Sequence, residues 1–232
     1  MTSCPGWEGE REMMRDLPPA RKTRASLTSR ANRGFTLIEV AFVLVIIGLL
    51  LGLGAQLLPM LVKQNKLKED RQLVQEAKTA LIGYALATGR LPYAGAGTNG
   101  LETTNRLNGY LPWSTIGFKS MDAYQTPLFY AVDFHLTASG SVTRTVIGPL
   151  IQTPPVQSDN LYSDNGYVRV AFIVISAGVN RRVDPPNDKN GNGIVDSNDG
   201  NTFAAPSAPM TSSYDDILDS ESMSLLNGIA PQ

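Results

Sequence analysis

The sequence Arg33-Gly34-Phe35-Thr36-Leu37-Ile38-Glu39-Val40 joins a basic N-terminal segment to a long apolar one. Residues 40–62 contain no charged side chain, and Gln56 is their only strongly polar residue. At about 1.5 Å per residue, a helix of this length spans about 34 Å, which is enough for the hydrocarbon core of a bilayer. A surface helix of a soluble domain would show a polar stripe, which is missing here. The stretch therefore predicts a helix that is inserted in a membrane at some stage.

Two features of the flanks bear on this prediction. Residues 1–34 hold seven basic and four acidic residues, and three of the arginines, at positions 24, 30 and 33, favour a cytoplasmic N-terminus. Lysines at 63, 66 and 68 follow the apolar stretch and weaken that preference. Glu39 is an anomaly, because a carboxylate at the start of a span is costly unless it is paired or faces water at the interface.

The helix is predicted to continue beyond the apolar stretch, from about Thr36 to about Thr88. Gly89 stands where a helix ends in the left-handed conformation, and Pro92 follows shortly. From residue 67 the apolar residues recur at helical spacing, with charged residues between them. These apolar positions are Leu67, Val74, Ala77, Leu81, Tyr84 and Ala85. The second half is therefore predicted to be amphipathic and to pack through one face.

The remainder of the chain predicts a small sheet. Strands are expected at 128–134, 141–147 and 168–176, with a turn at 138–140 between the first two and a short helix near 223–226. The predicted fold class is α+β, with the long N-terminal helix packed on a small antiparallel β-sheet.

Composition argues against several functions. The 232 residues are 42% hydrophobic and 18% charged, with a net charge of −1, which is typical of a folded chain and unlike a strongly basic nucleic-acid-binding module. The single cysteine, Cys4, and the single histidine, His135, provide neither an internal disulfide nor a Cys/His zinc site. We expect no enzymatic activity, since a catalytic triad would depend on His135 alone.

The segment RGFTLIEV and the apolar run after it resemble the N-terminal signal of type IV pilins and of the pseudopilins of type II secretion systems. The resemblance implies that a prepilin peptidase cuts after Gly34 and that the new N-terminus, Phe35, is N-methylated. It also gives Glu39 a partner, because in assembled filaments the matching glutamate faces the terminal amine of a neighbouring subunit. Two buried opposite charges are tolerable as a pair, whereas either alone is very costly.

On this interpretation the chain has three parts: a basic leader, 1–34, that is removed; a transmembrane or filament-core helix, 35–62; and a globular pilin-like domain, 63–232. The resemblance implies a single-pass protein of the bacterial inner membrane, with its N-terminus cytoplasmic and its globular domain periplasmic. An inner-membrane assembly platform would then add it to a helical filament of pilin or pseudopilin subunits, in the periplasm or at the surface.

Several alternatives stay open at this point. A pseudopilin is favoured because the processed chain would have no cysteine, and so no C-terminal disulfide loop of the kind found in many surface pilins. A major or minor type IV pilin, used in adhesion, motility or DNA uptake, is the next interpretation, followed by a membrane-anchored calcium-dependent binding module. A plain single-span anchor and a conventional signal peptide are further alternatives, and the signal peptide is disfavoured because its apolar region is usually about 7–15 residues long. The leader is long for the family, and Met13 and Met14 are alternative starts.

A second, less specific resemblance lies at 109–113 and 121–130. It is to the segment that leads into the first strand of many pseudopilins, where a D-x-W-G-x-P-x-x-Y pattern is common. Tyr124 and Gln125 stand in place of the Trp-Gly pair of that pattern. Packing of Trp113 and Tyr124 on the helix is the structural expectation.

Residues 188–199, DKNGNGIVDSND, fit a twelve-residue calcium loop. Gly193 holds the sixth place, where a sharp turn is needed, and hard oxygen ligands suit calcium better than a transition metal. The predicted ligands are Asp188, Asn190, Asn192, Ile194 through its carbonyl, Asp196 and Asp199. Pro185 and Pro186 forbid an entering helix of the EF-hand kind, so the resemblance is to the loop alone.

The expected calcium affinity is weak, with a Kd on the order of 10⁻⁴–10⁻³ M. The alternative is a solvent-exposed turn rich in Asn and Gly and closed by Asx hydrogen bonds. The family resemblance adds support, since major pseudopilins bind calcium in a C-terminal loop, although with a different ligand spacing. Asp215 and Asp216 are expected to cap the tail helix rather than to bind the ion.

Overall fold

A computed structural model describes residues 34–152, 160–166 and 168–232. The predicted leader lies outside these residues except for Gly34, as do the alternative starts at Met13 and Met14. The chain divides into two compact units, Met1–Leu50 and Leu51–Gln232, and the first helix contributes residues to both.

The described residues form helices and antiparallel strands, as expected for a mixed α and β chain. The helices are α1 (Leu37–Thr88), α2 (Trp113–Ile116), α3 (Arg144–Gln152) and α4 (Met223–Ile229). The strands are β1 (Asn108–Tyr110), β2 (Phe129–Val132), β3 (Tyr162–Ser163), β4 (Val168–Ser176) and β5 (Ile217–Ser222). Short 3₁₀ turns follow β2 and β3.

Strand β4 is the centre of the sheet. It pairs antiparallel with β2, β3 and β5, and β1 extends the sheet by pairing antiparallel with β2. On one face of β4, Phe172 and Val174 belong to the apolar core that includes α1. On the other face, Ile173 and Ile175 pack in a second core. Because apolar cores cover both faces, the strand has a nearly continuous run of apolar residues rather than alternating apolar and polar residues.

The second half of α1 packs through the stripe that the sequence predicts. Val74, Ala77, Leu81 and Ala85 are at most 1% exposed and line the first core. The helix ends as expected, since Gly89 has φ +74° and its N–H donates to the carbonyl of Ala85 at 2.8 Å. A residue with a Cβ would adopt this left-handed conformation only at a cost.

The predicted strand at 141–147 is wrong, because helix α3 begins at Arg144. The guanidinium of Arg144 donates to the carbonyls of Gly228 and Ala230 at the end of α4, and Ile147 is fully buried in the first core. This packing overrides the strand preference of the β-branched residues in the segment. The predicted turn before it does form, since the N–H of Ser141 donates to the carbonyl of Ala138.

The other predicted elements are confirmed with small shifts in their ends. β2 lies within the predicted 128–134, β4 coincides with 168–176, and α4 covers 223–226. Asp215 and Asp216 do not cap this last helix, because its N-cap is Ser222, whose Oγ accepts from the N–H of Leu225 at 3.1 Å. The two aspartates instead precede β5.

Candidate functional site

The predicted processing junction lies just before α1. Phe35 is 78% exposed, and the helix begins two residues later. Thr36 caps the helix, since its carbonyl accepts from the N–H groups of Glu39 and Val40 and its Oγ1 also accepts from Glu39. The Glu39 carboxylate lies in the first turn, where the helix dipole favours negative charge.

The side chain of Glu39 is exposed and contacts no cation among the described residues. It stands in a long exposed apolar surface. The large apolar side chains exposed there include Phe35, Leu37, Ile38, Val40, Phe42, Val43, Leu44, Val45, Ile46, Ile47, Leu49, Leu50 and Leu51. A soluble monomer rarely leaves so much contiguous apolar surface uncovered, which marks a surface for lipid or for another protein chain.

Among the residues that the structure describes, no helix meets the length and hydropathy required for a membrane span. Membrane insertion of 40–62 stays a prediction from the sequence.

The 188–199 loop is closed by its own aspartates. The carboxylate of Asp188 is 2% exposed and accepts from the N–H groups of Gly191, Asn192 and Gly193. Asp199 is fully buried and accepts from the N–H groups of Lys189, Asn190 and Asp196. Gly193 has φ +85°, as the sharp turn at the sixth place requires.

The remaining predicted ligands of this loop hydrogen-bond to one another. The amides of Asn190 and Asn192 donate to the Asp196 carboxylate, and the Asn192 side-chain oxygen accepts from the N–H of Ile194. The bond from the Ile194 N–H to Asn192 Oδ1 is an Asx hydrogen bond, the kind expected for the solvent-turn alternative. Calcium binding by Asp188, Asn190, Asn192, Ile194, Asp196 and Asp199 stays a prediction.

A different group of carboxylates meets beside the loop. Asp184, Asp215 and Asp216 each place one oxygen within 4.8 Å of the others. Burial, followed by the charges of Asp184 and Asp215, raises the pKa of Asp216 to about 7. One oxygen of Asp215 and one of Asp216 are shielded from solvent without a hydrogen-bond partner. The sequence pattern missed this group because its members come from two separate segments of the chain.

The segment at 121–130 contains a tight turn. Both the N–H of Tyr124 and that of Thr126 donate to Asp122 Oδ1 at 2.8 Å. Gln125 has φ +64°, the left-handed conformation that glycine adopts freely. Gln125 therefore adopts this conformation at the position where the pattern that the segment resembles has glycine. Trp113 packs against the first core, and Lys66 on α1 lies 5.7 Å from the ring centroid of the buried Tyr124.

Two buried aspartates of the second unit have opposite surroundings. Asp133 is fully buried and contacts the Arg169 guanidinium at 3.3 Å and the His135 ring at 2.9 Å. Asp70 is also fully buried, but its nearest polar partners are Ser176 and the backbone N–H of Ala123. The burial of Asp70 was missed from sequence, although its spacing from Val74 and Ala77 places it on the buried face of α1.

Comparison with known proteins finds a match for one part of the chain. Residues 29–55 match the family model described as the prokaryotic N-terminal methylation motif. No curated protein and no solved structure is significantly similar to the chain. The chain therefore carries a type IV pilin-like prepilin signal.

This motif implies processing by a prepilin peptidase and assembly as a pilin-like subunit. It also implies a protein that is first anchored in a membrane and then associated with a filament. The match ends in the first half of α1, so it does not determine whether the filament is a secretion pseudopilus or a type IV pilus.

Proposed function

We propose that this protein is a structural subunit of a type II secretion pseudopilus, processed after Gly34 and methylated at Phe35. The observation that supports this proposal best is the coincidence of the methylation motif at 29–55 with an exposed apolar helix that starts at Leu37. The protein does no chemistry of its own. It is a substrate of the peptidase and methylase and then a building block of a filament.

The proposed assembly step exchanges lipid contacts for helix contacts. In the inner membrane, the apolar half of α1 lies among lipid tails, with the N-terminus cytoplasmic and the globular domain periplasmic. In the filament, the exposed side chains between Phe35 and Val62 pack against the same helices of neighbouring subunits. Because these side chains are apolar in both states, the exchange costs little, and packing together with polar contacts decides the register.

Glu39 is the polar contact that sets this register. Its carboxylate and the methylated amine of a neighbour's Phe35 would be buried together among apolar helices. Such a pair is tolerated where either charge alone is strongly disfavoured, so subunits that are out of register by one turn lose the pair. The absence of a partner for Glu39 among the described residues of the single chain supports this role.

The choice of a pseudopilus over a type IV pilus rests on the composition of 35–232. This part has no cysteine and therefore lacks the disulfide loop of many surface pilins. Its 13 basic and 17 acidic residues also do not favour nucleic acid as a partner. The proposed partners are the prepilin peptidase, other pseudopilin subunits, the inner-membrane assembly platform and the bilayer.

Calcium is proposed as a stabiliser of the C-terminal region, bound by the 188–199 loop. The buried carboxylates of Asp188 and Asp199 and the left-handed Gly193 supply the shape that such a loop needs. The proposed role of the site is structural.

Filament assembly by the Glu39→Ala variant tests the main proposal. In cells that carry the assembly machinery, we expect normal cleavage after Gly34 and a loss of filaments, because the neighbour's amine is left unpaired. Glu76→Ala is the matched control, since Glu76 is an exposed acid on the same helix whose ion pair among the described residues is with exposed Lys119. Filaments of Glu39→Ala that form as well as those of the control would contradict the proposed pairing.

A further inference from the structure

A buried hydrogen-bond cluster joins three separate parts of the second unit. It consists of Asp70 on α1, Ser176 at the end of β4 and Asp122 in the 121–127 turn. Ser176 Oγ lies 2.6 Å from Asp70 Oδ2 and 2.8 Å from Asp122 Oδ2. The N–H of Gly178 donates to the same Oγ at 3.2 Å. Asp70 and Ser176 are fully buried, and Asp122 is 3% exposed.

If both acids are ionised, the cluster has too few hydrogens for both contacts of Ser176 Oγ to be hydrogen bonds. A serine hydroxyl has one hydrogen, so Ser176 donates to only one of the two carboxylates. The N–H of Gly178 already uses one lone pair of the oxygen. The second contact is a hydrogen bond only if the other acid carries a proton and donates it to Ser176 Oγ. Otherwise two negative charges share a buried site with lone pairs facing each other.

The geometry places this proton on Asp70. Asp122 Oδ1 accepts two backbone N–H groups at 2.8 Å, from Tyr124 and Thr126, so Asp122 has more hydrogen-bond donors facing it than Asp70 has. Asp70 Oδ1 accepts only the N–H of Ala123, at 3.5 Å. The hydrogen bonds then run in one direction, from the Asp70 hydroxyl to Ser176 Oγ and from the Ser176 hydroxyl to Asp122 Oδ2.

The surrounding charges agree with this assignment. On α1, Glu69 adds a like charge, and Lys66 lies over the ring of Tyr124, 5.7 Å from its centroid, rather than at either acid. From the turn, the neighbouring groups are Asp122 and the phenol of Tyr124, which Asp215 also approaches. No described cation forms an ion pair with Asp70 or Asp122. Burial, with Asp122 and Glu69 adding to it against the Ser176 hydrogen bond, raises the pKa of Asp70 to about 6.

We infer that a proton held by Asp70 and linked through Ser176 to Asp122 fastens the second half of α1 to the sheet, as a pH-sensitive clamp. The clamp joins a helix, a strand end and a turn that are far apart in sequence. It is intact at mildly acidic pH, where Asp70 is protonated. It weakens as the pH rises through about 6, because the folded chain then holds two buried negative charges while the unfolded chain exposes both to water.

The test is thermal unfolding of the full chain in detergent micelles from pH 4.5 to pH 8.5, for the wild type and Asp70→Asn. The wild-type Tm should fall as the pH rises through about 6, and Asp70→Asn should remove a part of that fall on the order of 5 °C. Asparagine keeps an N–H donor for Ser176 without the charge, so this variant should melt above the wild type at pH 8. Glu76→Gln, which changes an exposed acid on the same helix, should leave the pH profile unchanged.

Two further measurements keep the inference falsifiable. Ser176→Ala should lower Tm more at pH 5 than at pH 8, whereas a role in packing alone would lower it equally at both. The carboxyl carbon resonances of Asp70 and Asp122 in labelled protein should show one protonated acid at pH 5. An ionised pair at pH 5, or an Asp70→Asn variant that melts below the wild type at pH 8, would overturn the inference.

Discussion

Glu39 and Asp70 are acids on the same helix, and their surroundings differ. Each is an acid in an apolar stripe of α1. Asp70 is fully buried and finds its partners within the chain, in Ser176 and Asp122. Glu39 is exposed among apolar side chains and finds no ionic partner among the described residues. Asp70 therefore completes its polar contacts within the second unit, whereas Glu39 is left exposed, where another molecule can contact it.

The largest expected effect tests how strongly a buried ion pair stabilises the second unit. Asp133→Asn should cost about 3–5 kcal/mol of unfolding free energy, because it leaves the nearly buried Arg169 guanidinium without its carboxylate. Denaturant unfolding of the full chain in micelles measures this. Glu102→Gln is the control, since its pair with Arg90 is partly exposed and should contribute about 0.2–1 kcal/mol. Equal losses for the two variants would contradict the proposed difference in burial.

A pair of leucines on α1 sharpens the comparison between its two halves. Leu81→Ala should cost about 2–5 kcal/mol, because Leu81 is fully buried in the first core and its removal leaves a cavity. Leu50→Ala should cost less than about 0.5 kcal/mol in the single chain, because Leu50 is 62% exposed. The same unfolding measurement checks both. A large loss for Leu50→Ala would show that its side chain is covered within the chain.

Added calcium tests whether a bound ion stabilises the second unit. With a Kd near 1 mM, 10 mM calcium should stabilise the folded chain by about 1.4 kcal/mol. Thermal melting with calcium and with a chelator measures the shift. It should vanish in Asp199→Asn if the 188–199 loop binds the ion, and in Asp216→Asn if the Asp184, Asp215 and Asp216 group does. An unchanged Tm in wild type would favour the Asx-turn interpretation of the loop.

The smallest effect is expected for Glu39→Ala in the single chain. Its unfolding free energy should stay within about 0.5 kcal/mol of wild type, because the side chain is exposed and only the helix dipole stabilises it. The loss of filaments in the same variant should nevertheless be large. A strongly destabilised chain would mean that Glu39 has a partner within its own molecule, and the comparison with Asp70 would fail.

Sequence periodicity predicted the helices and strands whose packing follows from their own residues. The stripe through Val74, Ala77 and Leu81 and the run at 168–176 are strong local patterns, and both elements form as predicted. The segment at 141–147 failed because contacts of Arg144 with the distant end of α4 decide its conformation. No local pattern contains such a contact.

The candidate sites also differ in whether a local sequence pattern contains them. The motif from Arg33 to Val40 is contiguous, so sequence alone was enough to find it. The clamp of Asp70, Ser176 and Asp122 and the group of Asp184, Asp215 and Asp216 are assembled from separate segments, so the fold must bring them together first. The position of Asp70 in the buried stripe was nevertheless visible in the spacing.

The mass and N-terminal sequence of the protein isolated from cells with a prepilin peptidase test whether the chain is cut after Gly34 and methylated at Phe35. We expect a chain that begins at Phe35 and carries one added methyl group on its terminal amine. A chain that still begins at Met1, Met13 or Met14, or one that is cut after the apolar stretch, would contradict it.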